Sequence, residues 1–198
     1  TFAEYGADLI LLGRSKEKLE QLFDELEDSY PGKATIQPMD FSTASAEDYK
    51  ALGESLTKNF PVLDGLLHNA GLLGPLCPIE HYPDADWEKL AKVNLNANFF
   101  LTKAAMPSLQ RSDDGRLVFT ASSVGRKGRA YWGAYAVTKF AVEGLMQTMA
   151  DELGSTSKIR VNSLNPGATR TAMRQTAYPA EDPDTLPEPE ALMAVYLY

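Results

Sequence analysis

Apolar runs as long as a β-strand alternate with segments of helical period along the whole chain of 198 residues. Residues 9–12 are continuously apolar, whereas a strand with one solvent-exposed face would alternate apolar and polar residues. After them the period changes to that of a helix, with Ser15 as a candidate N-cap. The alternation predicts an α/β fold, a doubly wound parallel sheet with helices on both faces, in which residues 8–13 form a buried strand.

The boundaries of the other elements follow from the same periodicities and from turn residues. Strands are predicted at residues 34–40, 62–68, 116–121 and 159–165, and helices at 46–59, 84–109 and 133–153. Residues 166–189 are rich in proline and acids, which predicts a long loop, and a short helix is predicted near residues 190–198. No repeat or linker divides the chain, so we expect one domain over residues 1–198.

Composition excludes several classes of function. The net charge of −8 opposes binding to nucleic acid and to anionic membranes. No apolar run is long enough to cross a bilayer, and the N-terminus lacks the pattern of a secretion signal. The single cysteine, Cys77, cannot form an internal disulfide. We therefore expect a cytoplasmic protein that binds no nucleic acid, no membrane and no metal.

Tyr135 and Lys139 are four residues apart on a predicted helix, so their side chains share one face. At a separation of about 4 Å and an effective dielectric near 20, an ammonium would lower the pKa of a phenol by roughly three units. A phenol tuned in this way could exchange protons near neutral pH. The pair alone is a weak signal, since about half a match is expected by chance, and a surface pair is the alternative.

Asn94 lies on an apolar stripe of the predicted helix at residues 84–109. A buried amide without partners costs on the order of 1 to 3 kcal/mol, so Asn94 must be hydrogen-bonded. Two interpretations stay open: a satisfied core residue, or an amide that holds a water or a backbone group near an active site.

Polar and small residues follow three predicted strands at their carboxyl ends, where ligands bind in open α/β sheets. Each group alone could be ordinary turn chemistry, but three successive groups favour a ligand site. They are Asn69, Ala70 and Gly71; Ser122 and Ser123; and Pro166, Gly167 and Thr171.

A basic cluster follows the serines. Arg126, Lys127 and Arg129 lie within four positions of one another, beside two glycines. The cluster could hold an anionic group of a substrate. The alternative is a solvated loop, since short charge clusters are usually surface.

Together these residues resemble the short-chain dehydrogenase/reductase family, over essentially the whole chain. The family's Tyr-x-x-x-Lys motif matches Tyr135 to Lys139, and its serine, thirteen residues before the tyrosine, matches Ser122 and not Ser123. The asparagine of the family's tetrad matches Asn94. The remaining matches are Asn-Ala-Gly at residues 69–71, Pro-Gly-x-x-x-Thr at residues 166–171, and the adenine-contacting aspartate at Asp40, next to Phe41.

The resemblance implies hydride transfer between a nicotinamide cofactor and a carbonyl or alcohol. Ser122 would position the substrate oxygen while Tyr135 exchanges its proton. Lys139 would hold the nicotinamide ribose, and Asn94 would anchor a water that connects Lys139 to solvent. Thr171 would contact the nicotinamide carboxamide.

The resemblance also implies a mobile substrate loop at residues 172–186 and a homo-oligomer that pairs the helices at 84–109 and 133–153. Two departures matter. His68 stands where the family has a second asparagine before the Asn-Ala-Gly motif. The family's first strand with its Gly-rich turn does not precede Thr1, and its last strand does not follow Tyr198, so the domain is expected to be incomplete at both ends.

The cofactor is expected to be NADP(H) in preference to NAD(H). An acidic residue at the end of the strand at residues 8–13 would accept hydrogen bonds from the adenosine ribose and select NAD, but the position is Gly13. Arg14 follows, and its guanidinium could bind a 2′-phosphate. The alternative is a solvated arginine at a strand end.

Two other functions remain open at this point. One is a non-catalytic relative that binds a nucleotide as a sensor or scaffold, which would not need Asn94, Ser122, Tyr135 and Lys139 together. The other is a sugar-nucleotide epimerase of related fold, although the spacing of Ser122 and Tyr135 favours the shorter reductases.

Overall fold

Parallel strands flanked by helices make up the computed structural model, which describes residues 1–197 and confirms the predicted α/β class. The strands are β1 (Leu9–Gly13), β2 (Ala34–Pro38), β3 (Gly65–His68), β4 (Arg116–Thr120) and β5 (Arg160–Leu164). The α-helices are α1 (Lys16–Ser29), α2 (Ala46–Asn59), α3 (Asp84–Leu90), α4 (Ala97–Leu109), α5 (Gly133–Gly154), α6 (Ala172–Ala177) and α7 (Met193–Leu197). None of the helices in this part of the chain is long and apolar enough to cross a bilayer.

The strands form two parallel sheets. β1 pairs with β2 in one, and the other has the order β3-β4-β5. In the doubly wound strand order 3-2-1-4-5-6, these sheets correspond to strands 3-2 and 4-5-6. The first strand of that order is not among residues 1–197.

A hydrophobic cluster under the sheets holds the layers together. Leu109, Leu117, Phe119 and Val142 are fully buried in it, and Ile10 of β1 packs against the same cluster. The two sheets therefore share one core, in which α4 and α5 cover the strands.

One expectation about β1 is wrong. The strand was expected to be buried on both faces, but all five residues of Leu9–Gly13 are only half buried. Among residues 1–197, β1 pairs with β2 alone, so its other edge and part of its faces stay accessible. Its continuous apolar sequence is typical of a strand inside a wider sheet.

The helix predicted at residues 84–109 is not continuous. A turn of π-helix, Ala91–Asn96, separates α3 from α4. Such a turn inserts an extra residue into the helical ladder and is frequent at functional sites. Here it carries Asn94.

Helix starts were predicted well and the C-terminal region less well. The Ser15 hydroxyl accepts a hydrogen bond from the Lys18 N–H, which confirms the predicted cap of α1. The predicted loop at residues 166–189 contains the short helix α6. The predicted last helix is divided into a 3₁₀ turn, Pro189–Leu192, and α7, and its final residue, 198, lies outside the described residues.

Gly53 lets α2 approach α4 closely. A Cβ at Gly53 would lie 3.0 Å from the Ala104 carbonyl oxygen. We expect Gly53→Ala to lower the free energy of unfolding by about 1 to 3 kcal/mol, because the helices would have to separate. Gly154→Ala, at a helical glycine with open space around it, should change it by less than about 1 kcal/mol. Urea denaturation of both variants checks this, and equal effects would contradict it.

Candidate active site

The carboxyl end of β4 brings together groups from two other parts of the chain. The Lys139 ammonium of α5 donates a hydrogen bond to the Thr120 carbonyl oxygen at 2.6 Å. The Thr120 hydroxyl donates to the amide oxygen of Asn69, just after β3, at 3.1 Å. Residues that the sequence placed on separate elements thus meet at the end of the sheet where ligands bind in open α/β folds.

Tyr135 and Lys139 lie one turn apart on α5 and are both buried. The Lys139 Nζ is 5.7 Å from the centroid of the Tyr135 ring. The prediction that the two side chains share a helix face is confirmed.

The expected lowering of the Tyr135 pKa is not found. Burial raises the pKa of Tyr135, and the nearby Ser122 hydroxyl only opposes that rise. Burial also lowers the pKa of Lys139 to about 8. For both groups the loss of hydration on burial is the largest cause of the pKa shift, although the Lys139 ammonium donates a hydrogen bond to the Thr120 carbonyl oxygen.

The loop after β4 presses against α5. Ser122 is extended and partly buried, and its hydroxyl does not cap the 3₁₀ turn Ser123–Gly125 that follows. A Cβ on Gly125 would lie 2.7 Å from the carbonyl carbon of Lys139, so only glycine allows this approach. The contact holds the Ser122 loop against the helical turn that carries Lys139.

A partly buried ion pair reinforces the same contact. Arg126 donates to the Glu143 carboxylate at 3.0 Å, and the Ser163 hydroxyl of β5 donates to the other carboxylate oxygen at 2.8 Å. The Glu143 side chain is only 10% exposed. Arg126, which the sequence grouped with two other basic residues, therefore stabilises the packing of its loop on α5.

Asn94 is buried, and its amide is paired with the backbone. Its side chain accepts from the Leu72 N–H and donates to the Leu72 carbonyl oxygen, both at 2.8 Å, and it also donates to the Thr138 hydroxyl at 3.2 Å. Of the two interpretations left open, the structure supports an amide that holds a backbone group beside the site. Both N–H groups of the Asn94 amide are used in these bonds, so neither is free to donate to the water that the family resemblance implies.

Gly71 lies between Asn94 and Lys139. A Cβ at this position would be 3.7 Å from the Asn94 amide oxygen and 3.9 Å from the Lys139 Nζ. Asn69 and Ala70 before it are exposed. The Asn-Ala-Gly segment therefore lies beside Lys139. Its small residues, Ala70 and Gly71, would let a flat ligand approach the backbone.

His68, which departs from the family pattern, is a core residue. Its Nε2 is 2.7 Å from the Thr102 hydroxyl, and its ring stacks on Phe119 with centroids 4.7 Å apart. Burial lowers the pKa of His68 to about 3, so the ring is neutral at physiological pH. Its side chain faces the core rather than the site.

Arg14 and Asp40 follow the carboxyl ends of β1 and β2. Asp40 accepts hydrogen bonds from the Ser42 hydroxyl at 2.7 Å and the Ser42 N–H at 2.8 Å. These bonds, and more weakly the charge of Arg14, lower the pKa of Asp40. Arg14 is exposed, and Phe41 stacks on Tyr49 with centroids 6.2 Å apart. The Asp40 carboxylate is thus favoured in its ionised form, with the exposed Arg14 side chain nearby.

The segment after β5 turns sharply. Gly167 has a φ of +73°, which favours glycine, and its N–H donates to the Asn165 side chain at 3.1 Å. Pro166 precedes it. The Thr171 hydroxyl caps α6 by accepting from the Arg174 N–H at 3.1 Å, which leaves its own proton available. Within residues 1–197, none of these three residues forms a hydrogen bond with Tyr135 or Lys139.

Three groups of the site were not identified from the sequence. The Thr120 carbonyl holds Lys139, the Thr138 hydroxyl accepts from Asn94, and the Leu72 backbone pairs with the Asn94 amide. Two of them act through the backbone, which leaves no side-chain pattern. The third, Thr138, also bonds back to the Tyr135 carbonyl at 3.0 Å, as helical threonines commonly do.

One surface cavity lies elsewhere, at the amino ends of β4 and β5, where Asp113, Asp114 and Lys158 are among its lining residues. None of the candidate residues lines it. We place the site at the carboxyl ends because the buried polar groups converge there.

The family model described as short chain dehydrogenase matches residues 1–182. The chain belongs to the short-chain dehydrogenase/reductase family. It is an NAD(P)-dependent oxidoreductase, as its similarity to named oxidoreductases and solved short-chain dehydrogenases supports.

Two relatives illustrate the range of similarity. The chain is 48% identical over 198 residues to the uncharacterised oxidoreductase YciK of Escherichia coli, covering 100% of this chain and 78% of that protein. It is 33% identical over 171 residues to 3beta-hydroxysteroid dehydrogenase 2 of Eggerthella lenta, covering 86% of this chain and 64% of that protein.

Two solved structures are similar over nearly the whole chain. A short-chain dehydrogenase from Shigella flexneri, complexed with NADP, superposes with a TM-score of 0.95 at 48% identity, covering 99% of this chain and 81% of that one. One from Escherichia coli, complexed with NADPH, has a TM-score of 0.96 at 49% identity, covering 100% and 81%.

Burial of the Lys139 ammonium lowers the free energy of unfolding of the protein. Because its folded pKa of about 8 lies below the ordinary lysine value of 10.5, folding disfavours the charged form. This cost is complete below pH 8, shrinks as the pH rises from 8 to 10.5, and is absent above that range.

We therefore expect Lys139→Met to raise the free energy of unfolding at pH 7 by about 1 to 3 kcal/mol, less any loss from the freed Thr120 carbonyl. The gain should be smaller at pH 10. Urea denaturation at both pH values measures it, with Lys103→Met, at an exposed lysine of α4, as control. A less stable Lys139→Met protein at pH 7 would contradict the expectation.

Proposed function

We propose that the protein transfers a hydride between NADP(H) and a carbonyl or secondary alcohol, with Tyr135 as the general acid or base. The observation that carries the proposal is the buried Lys139 ammonium beside the Tyr135 ring, with Ser122 close to the tyrosine. A cation and a phenol are both costly to bury, and a site that exchanges protons is a reason to keep them together.

The residues present fit a nicotinamide cofactor. A lysine ammonium has three N–H donors, and within the described part of the chain only the Thr120 carbonyl accepts one of them. The other two suit the hydroxyls of a ribose. Gly71 has no side chain to occupy the space beside the ammonium, where a Cβ would lie 3.9 Å from the Lys139 Nζ. When bound, NADPH supplies the hydride.

The roles of the side chains follow from this placement. Tyr135 would give its hydroxyl proton to the carbonyl oxygen during reduction and take it back during oxidation. Ser122 would donate a hydrogen bond to the same oxygen and orient it. A bound ligand that brings Lys139 closer to the phenol oxygen would lower the Tyr135 pKa, which burial alone raises.

Asn94 would act as a positioning residue, because it ties the Leu72 backbone to the helix that carries Tyr135. The remaining candidate contacts are assigned to the cofactor: Asp40 and Phe41 near adenine, Asn69, Ala70 and Gly71 along the ribose, and Pro166, Gly167 and Thr171 near the nicotinamide.

Tyr135→Phe should abolish turnover while leaving the affinity for NADPH within a few fold, because the ring stays and only the proton-exchanging hydroxyl is lost. NADPH oxidation with a panel of carbonyls measures turnover, and nicotinamide fluorescence measures binding. Tyr131→Phe, at an exposed tyrosine four residues earlier, is the control. Turnover of Tyr135→Phe near the wild-type rate would remove the proposed role.

The preference for NADP(H) rests on the end of β1. Gly13 offers no carboxylate to the ribose hydroxyls, and the exposed Arg14 beside Asp40 could bind a 2′-phosphate in two hydrogen bonds. The Shigella flexneri and Escherichia coli relatives were solved with NADP and NADPH, which supports the same preference.

We expect NADPH to be preferred over NADH by at least roughly tenfold in kcat/KM, about 1.4 kcal/mol, and Arg14→Ala to erase most of the difference. Steady-state kinetics with both cofactors on the full-length protein decide it. Lys18→Ala, at an exposed lysine of α1, is the matched control for loss of a positive charge. An unchanged preference in Arg14→Ala would show that Arg14 does not bind the phosphate.

We also propose a homo-oligomer. Phe99 of α4 and Val137 and Phe140 of α5 are each more than 40% exposed, and they lie on the two helices expected to pair. Exposed apolar side chains on these helices favour an interface. We propose in addition that residues 1–198 form one NAD(P)-binding domain and that the protein resides in the cytoplasm.

A further inference from the structure

The active-site segment is positively charged in a protein of net charge −8. Residues 115–142 contain five arginines and lysines and no aspartate or glutamate. Two of these five charges are neutralised, Arg116 by Asp114 and Arg126 by Glu143. Lys139 belongs to the site described above. Lys127 and Arg129 remain, and the structure distinguishes between the two by their surroundings.

Arg129 is held among aromatic rings. Its Nη1 donates to the Tyr178 hydroxyl at 2.5 Å. Its guanidinium carbon lies 5.9 Å from the Trp132 ring centroid and 5.6 Å from that of Tyr178. Within residues 1–197, no carboxylate forms an ion pair with Arg129. The side chain is therefore oriented without being neutralised.

The same rings lead to the catalytic tyrosine. The Trp132 ring centroid is 5.6 Å from that of Tyr135 and 6.0 Å from that of Tyr178. One indole ring thus separates the Arg129 guanidinium from the Tyr135 phenol. A ligand that lies along Trp132 could reach both groups at once.

The other arginine near Tyr178 has a supporting role. Arg174 pairs with Glu181 through two hydrogen bonds of 2.6 Å, and its guanidinium lies 3.7 Å from the Tyr178 ring centroid. Its charge is neutralised, and it holds Tyr178 in place. This arrangement leaves Arg129 as the unneutralised cation of the group.

We propose that Arg129 binds an anionic group, such as a carboxylate, on the carbonyl substrate, with Trp132 supporting the apolar body between the anion and the reacting carbonyl. The inference rests on the proposed function, since it names the substrate class of the same site. Of the five N–H donors of a guanidinium, Tyr178 uses one, and the planar fork matches a carboxylate. The substrate would be an aldehyde or ketone with an acidic group a few bonds from the carbonyl carbon.

The test compares 4-carboxybenzaldehyde with its neutral methyl ester, methyl 4-formylbenzoate, as substrates of the full-length protein with NADPH. We expect the ratio of kcat/KM for acid over ester to exceed roughly ten and to fall at least tenfold in Arg129→Gln. Lys127→Gln removes the same charge two residues away and should leave the ratio unchanged.

Several outcomes would overturn the proposal. An equal loss in both variants would mean that only the general positive field matters. An unchanged ratio in Arg129→Gln together with weaker NADPH binding, followed by nicotinamide fluorescence, would assign Arg129 to a cofactor phosphate. Reduction of the ester and other neutral carbonyls without preference for the acid would remove the anion site and leave the proposed function standing.

If the wild-type protein reduces neither aldehyde, benzoate binding decides independently of turnover. Trp132 lies against Arg129, so tryptophan fluorescence should report saturable binding of benzoate to the NADPH-loaded wild-type protein and a loss of that binding in Arg129→Gln. The absence of saturable binding to the wild type would overturn the proposal.

Discussion

The hydrogen bond from the Lys139 ammonium to the Thr120 carbonyl oxygen fixes helix α5 on the end of strand β4. A buried ammonium must find acceptors, and this one has a strand-end carbonyl that no further ladder bond requires. The position of the bond sets the others: it places Tyr135 one turn earlier on α5, Gly71 beside the ammonium, and Asn69 against the Thr120 side chain. The site is thus built on a rigid junction between a helix and a sheet.

The neighbouring contacts keep that junction in register. Gly125 allows the loop with Ser122 to touch the backbone of Lys139, and the Arg126–Glu143 pair ties the same loop to the next turn of α5. Burial acts against the charges that the chemistry needs, since it lowers the Lys139 pKa and raises that of Tyr135. Both shifts oppose ionisation in the protein alone, so a bound cofactor that hydrogen-bonds to Lys139 would change the balance toward proton exchange.

The fold class and the meeting of Tyr135, Lys139 and Asn69 could be predicted because periodicity and strand-end position carry them directly. The prediction for β1 was wrong because a continuous apolar sequence is typical of a strand paired on both edges, whereas β1 pairs with β2 alone among residues 1–197. The π-turn at Asn94 could not be predicted, since the apolar period changes little when one residue is added to a helix. The lowered Tyr135 pKa was expected from charge attraction alone, and desolvation, which depends on the packing around the ring, reverses its sign.

The most direct test of the account is a crystal structure of the full-length protein with NADPH bound. The account predicts that the nicotinamide ring lies beside the Tyr135 hydroxyl, with the Lys139 ammonium within hydrogen-bonding distance of the ribose hydroxyls and still bonded to the Thr120 carbonyl. A nicotinamide bound away from Tyr135, or a Lys139 side chain that contacts neither the ribose nor Thr120, would contradict it.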